Sequence, residues 1–198
     1  MNTVKALFSP LEYFSDRILL VTGLIASAAG LALSAGFDIA QDGIFDLHIA
    51  RLPFQTHLLF LAGNIFLTAL SLFLAGKVIN PGTRLIDMVK VSMIARIPLY
   101  LVIPFIGNRA MVSLSERLVK QTTSGVSMPQ PQGSDMALLL LLSLVSVVFL
   151  AGFFVLLVNG FRVAANAKKW QHYLSLVAVI LAAEVLSKFL YVKMVALF

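Results

Sequence analysis

An all-α membrane protein, a bundle of about five transmembrane helices, is the fold class this sequence predicts, and three observations carry that expectation. Of its 198 residues 60% are hydrophobic and only 12% charged, against roughly 45–50% and about 25% in soluble domains. A chain of this length still leaves about a third of its unfolded surface facing solvent. The apolar excess therefore cannot hide in one core, and much of the solvent must be lipid. Apolar stretches then recur at close to the ~20 residues a helix needs to cross the hydrocarbon layer. Finally, the period-two alternation of a barrel strand is missing. Backbone hydrogen bonds in lipid must close within each segment, which selects helices.

The first stretch, 18–37, carries no charge. Ala32-Leu33-Ser34 resembles a signal-peptide cleavage site, but the run exceeds the usual ~7–15 residues and Glu12 and Asp16 spoil a basic leader. It is read as a retained span. Stretch 58–76 is the second span and 89–106 a weaker third, interrupted by Arg96, Pro98 and Pro104. Each proline removes a backbone donor and should bend the helix. The fourth span, 136–158, is the most apolar, and the fifth, 173–191, contains Glu184 and Lys188.

Between these spans, residues 3–14 form an interfacial segment anchored by Phe8, Leu11 and Phe14. Residues 109–121 place Met111, Leu114 and Leu118 on one helical face, opposite Arg109, Glu116, Arg117 and Lys120. That pattern suits a helix lying on the membrane surface or docking a partner. Residues 122–135, rich in Ser, Pro, Gln and Gly, are expected to be a mobile loop. Asp38, Asp42 and Asp46 are read as a solvated outer segment, because they lack the spacing and closing Glu of a calcium loop. The chain forms a single membrane domain.

Lys and Arg set the orientation. Lys5 and Arg17 precede the first span, Lys77, Arg84 and Lys90 follow the second, and Arg162, Lys168 and Lys169 follow the fourth. The N-terminus is expected in the cytoplasm and the C-terminus outside, in a bacterial inner membrane. The same cations explain the net charge of +6; they are scattered, with no continuous nucleic-acid patch.

The chain lacks cysteine, which excludes disulfides and thiolate chemistry. His48, His57 and His172 have no metal-binding spacing, and no metal, cofactor or catalytic set is expected. Charges at membrane depth do call for an explanation. Glu184 falls roughly 16 Å into the fifth span and Arg96 roughly 10 Å into the third, at ~1.5 Å per residue. Asn64 lies at a depth comparable to Glu184, and Lys188 follows Glu184 by one helical turn on the same face. Glu184, Arg96, Asn64 and Lys188 are therefore expected to form a small polar cluster. It is either a proton or ion site, or an ion pair that fixes helix register. Gly23, Ala26, Ser27, Gly30 and Ser34 give the first span a small-residue face for close helix packing, inside the bundle by default and otherwise in a homodimer.

Four short segments add a family resemblance. Asn80-Pro81-Gly82-Thr83, Ala95-Arg96-Ile97-Pro98, Asn159-Gly160-Phe161-Arg162-Val163-Ala164 and Leu7-Phe8-Ser9-Pro10 resemble the bacterial branch of the Yip1 family. The resemblance implies a five-span protein with a cytoplasmic N-terminus. Eukaryotic members act in vesicle traffic with small GTPases of the Rab class. The Asp-Leu-Tyr-Gly-Pro signature of those members is missing here, and GTPase binding is not carried over. The expected function is a scaffold or adaptor without catalytic activity, binding lipid and other membrane proteins. The alternative is a small transporter or channel component using the buried Glu/Arg site.

Overall fold

The computed structural model describes residues 3–123 and 133–195. Two short helices, α1 (Thr3–Phe8) and α2 (Pro10–Tyr13), precede the first long one. Ser15 then accepts a hydrogen bond from the Ile18 amide and opens α3 (Asp16–Gly36), as serine does well at a helix N-terminus. Two-residue strands β1 (Ile39–Ala40) and β2 (His48–Ile49) pair antiparallel, with Ile39 opposite Ile49. After them come α4 (Phe54–Ile79), α5 (Leu85–Ala95), α6 (Ile97–Ile106), α7 (Arg109–Thr123), α8 (Gly133–Ala165) and α9 (Trp170–Val195).

Five segments are long and apolar enough to cross a membrane: Asp16–Gly36, Phe54–Ile79, Leu85–Ile106, Gly133–Ala165 and Trp170–Tyr191. They match the five expected spans with shifted ends, most of all in the fourth, which runs on to Ala165, and the chain is an all-α integral membrane protein. The extra turns come from polar flanks such as Asp16 and Asp135, which a hydropathy reading trims away. Residues 122–123 complete α7 and 133–135 begin α8, so the expected mobile loop is shorter at both ends. Residues 124–132 lie outside the described part.

The third span is two helices. Pro98 has no N–H to offer the Ile94 carbonyl, and the helix breaks at Arg96, with Pro98 tolerated in the first turn of α6. Pro104 sits inside α6, which continues to Ile106. This broken span is the most enclosed of the five. It packs between α3, α4 and α8, over a core that includes Leu72, Met88, Val91, Phe153, Leu157 and Phe161. The last helix, α9, packs on α4. Outward faces of α3, α8 and α9 carry exposed Leu, Ile, Val and Phe, as a lipid solvent demands.

The small-residue face of α3 is used within the chain. Gly23, Ser27, Gly30 and Ser34 are all buried. A Cβ at Gly23 would stand 2.9 Å from that of Met93 on α5, and one at Gly30 would collide with the Tyr100 ring on α6. Omitting side chains here lets two backbones approach, as small residues do in membrane bundles.

Candidate functional site

Residues 38–53 link α3 to α4; the Asp38 and Asp46 side chains stay 42% and 44% exposed, as a solvated acidic segment requires, but the rest of the loop does not follow. The loop turns inward, leaving Ile39 and Ile44 with no accessible surface and Gln41 2% exposed. The three aspartates suggested a hydrophilic strip. Between and just after the aspartates, however, lie Ile39, Ile44, Phe45 and Leu47, which pack into the helical core. Phe45 stacks obliquely on Phe154, with ring centroids 5.6 Å apart.

Irregular backbone at membrane depth is tolerated only where protein satisfies its polar groups. Here the polar residues of the spans do so. Arg96, fully buried at the break between α5 and α6, donates from Nη1 to the Ile44 carbonyl at 2.6 Å and from Nη2 to Gln41 Oε1 at 2.7 Å. Glu184 Oε2 accepts the Ile44 amide at 2.6 Å and the Phe45 amide at 3.4 Å. The Asn64 amide donates to the Gln41 carbonyl at 2.7 Å. Gln41 Nε2 reaches Ser34 on α3 at 2.5 Å, and Tyr191 Oη donates to Asn64 Oδ1 at 2.8 Å.

Arg96 and Glu184 therefore hold opposite ends of one peptide-linked residue, with no direct ion pair between them. Their charges face each other through Ile44, its carbonyl toward the cation and its amide toward the anion. Such charge-assisted bonds are about twice as strong as neutral ones. Lys188 also departs from the expected pairing with Glu184. Its ammonium lies 3.0 Å from Asp42 and in contact with Asp46. The one-turn spacing to Glu184 is real, but the loop supplies two carboxylates closer to the helix end.

All four expected polar residues thus meet the same loop. Sequence reasoning missed Gln41, Tyr191 and the Ile44 peptide, which connect them. A buried glutamine in a loop flanked by aspartates carries no periodic signal, and a peptide group carries none. Gly43 is the one local hint. A Cβ there would meet Glu184 and stand 2.8 Å from the Cβ of Asp46, so a larger residue would push the loop off α9.

Asp42, Asp46 and His48 bring potential ligand atoms within 4.8 Å of one another. Lys188 already supplies the positive charge between the two carboxylates, and His48 Nδ1 lies 3.3 Å from Asp42. A cavity of about 320 Å³ opens beside them, lined by Asp42, His48, Phe60 and Tyr191 among others.

Tyr191→Phe tests the edge of this network. It keeps the ring packed against Phe60, whose centroid is 4.6 Å away, but strips Asn64 Oδ1 of its donor. The expected loss is about 1–2 kcal/mol, read as a lower melting temperature in detergent with the helical circular dichroism unchanged.

The resemblance segments sit at joints of the fold. Asn80 caps α4, and its Oδ1 accepts the Gly82 amide at 2.9 Å, while Thr83 Oγ1 donates to the Gly76 carbonyl at 3.0 Å. Asn159 on α8 donates to the Phe8 carbonyl at 2.9 Å, and Arg162 pairs with Glu12 at 2.5 Å. Segments 7–10 and 159–164 thus meet and fasten the N-terminal helices to α8. No protein-family model matches this chain, and neither the curated proteins nor the solved structures compared with it include a match.

Proposed function

We propose that this chain is a Yip1-like scaffold or adaptor of the bacterial inner membrane, without catalytic activity, with its N-terminus in the cytoplasm and its C-terminus outside. One observation supports this best. Glu184, Arg96, Asn64 and Lys188 are each bonded to the loop 38–53, so these four side chains are engaged in holding the fold. Transport sites instead keep polar groups and broken helices free for a moving solute.

What remains for partners is the surface. Helix α7 buries Met111 and Leu114 against the bundle and exposes Ser113, Glu116 and Val119. It is held at one end by Asn108, whose Oδ1 accepts the Met111 amide at 3.1 Å, and tied to α8 by Arg117–Asp135 at 2.9 Å. A surface helix with a largely polar outer face suits recognition of another membrane protein. The test is photocrosslinking in intact membranes from Ser113, Glu116 and Val119, followed by mass spectrometry. A discrete, reproducible protein partner is expected. Only lipid and self-contacts from all three positions would overturn the adaptor reading.

A further inference from the structure

On the side of α1–α2 away from their Asn159 and Arg162 fastenings lies an apolar groove of about 400 Å³. Its walls are Leu7, Pro10 and Phe14 from the N-terminal strap, Ile18 and Thr22 from α3, Ile94 and Ile97 from the broken third span, and Leu156 from α8. From the start of α5 at Leu85 to Ile97 is roughly 18 Å at ~1.5 Å per residue. The groove therefore runs from the bundle end to about mid-membrane depth. Its volume and apolar walls suit a hydrocarbon chain entering from one leaflet.

Charge at the same end specifies the rest of the ligand. Every acid there is already matched within the chain: Glu12 by Arg162, Asp16 by Lys90 and Arg84, and Asp87 by Arg84 and Lys90. Lys5, Arg17, Lys168 and Lys169 have no acidic partner among the described residues. The end of the molecule that opens the groove thus carries uncompensated positive charge beside an apolar slot. Each basic residue near a membrane surface attracts anionic lipid.

We infer that this groove is a binding site for an anionic phospholipid of the surrounding leaflet, with one acyl chain under the α1–α2 strap and its headgroup among the cations of that end. Among the described residues two polar contacts tie the strap to α8, Asn159–Phe8 and Arg162–Glu12, and Leu11 packs on the core beside them. The site stands apart from the adaptor reading, because α7 lies at the other end of the bundle and a partner there neither requires nor excludes the lipid.

Positive residues at one end also orient a membrane protein, and orientation alone would leave them without effect on lipid retention. Native mass spectrometry of the full chain separates the two. The protein is loaded with phosphatidylglycerol or phosphatidylcholine of identical acyl chains and activated until lipid dissociates. At least fivefold greater retention of phosphatidylglycerol is expected. Thr22→Trp, which fills the groove from an exposed position of α3, should abolish that retention. Leu144→Trp, on the lipid-facing side of α8, should leave it intact. Lys5→Glu with Arg17→Glu, both on the surface and independent of any packing change, should bring the two lipids to parity. Equal retention by the unaltered protein would overturn the proposal. So would a preference that survives either the groove-filling or the charge-reversing variants.

Discussion

Replacing Arg96 with methionine should cost about 3–5 kcal/mol, because two buried acceptors each lose a hydrogen bond from a charged donor worth about 1.5–3 kcal/mol. Methionine keeps much of the volume, so the loss reports on chemistry. The Ile44 carbonyl and Gln41 Oε1 would each lose a donor at 2.6 and 2.7 Å, and Glu184 would keep its charge with no cation across the peptide. Glu184→Gln should be milder, about 1–2 kcal/mol, because the amide oxygen still accepts the Ile44 N–H and only the charge assistance goes. The informative variant is the double one. If the two charges balance through the Ile44 peptide, Glu184→Gln should cost at least 1 kcal/mol less in the Arg96→Met background than alone. Such coupling is what residues sharing one network show. Strict additivity in denaturant titrations would mean that the two side chains hold the loop independently. A transport role for Glu184 would instead show itself as a variant of unchanged stability.

The second large effect comes from a glycine. Gly30→Val should destabilise by about 3 kcal/mol, near the upper end of typical overpacking penalties. Its new Cβ would stand 2.6 Å from Cγ of Tyr100. That ring is buried at the α3–α6 contact beside Ile39, Leu61 and Ile103 and has no free direction in which to move. Gly36→Ala provides the opposite sign. Its Cβ would meet nothing within 4 Å, and at the last residue of α3 alanine gains about 0.5 kcal/mol over glycine, the low end of the helix-interior value. One chemical change, a methyl group on one helix, is thus expected to raise the melting temperature at position 36. The larger branched group at position 30 should lower it. A neutral result at position 30 would show that α3 and α6 separate easily and that the small-residue face is free for another use.

The contrast between those positions shows what a sequence exposes to reading. The spans were legible because each is a long one-dimensional run of apolar residues whose solvent is lipid. The depths of Asn64, Arg96 and Glu184 followed from a fixed rise per residue. That they act together was legible too, since isolated polar groups at depth need partners. Their actual partner was not. The loop 38–53 alternates charged and apolar residues without a helical or strand period, and its role depends on backbone groups of Gln41, Ile44 and Phe45. Peptide groups are the same in every sequence and give no compositional signal. Lys90 was hidden for a similar reason. It counts as a loop cation by position, yet only 3% of its side chain is exposed, between Asp16 and Asp87. Its partners are separated from it by 74 and 3 residues, and only the folded chain brings them to one point.

The loop clamp also dictates an order of construction. Residues 38–53 leave the ribosome long before Arg96, and Arg96 long before Glu184, Lys188 and Tyr191. When the third span arrives, Arg96 can take up the Ile44 carbonyl and Gln41. The Ile44 amide and the two loop aspartates still wait for α9. A nascent chain halted before its last helix therefore holds a half-satisfied polar loop, and the final helix completes the clamp by supplying the carboxylate for the Ile44 amide and the ammonium for the two aspartates.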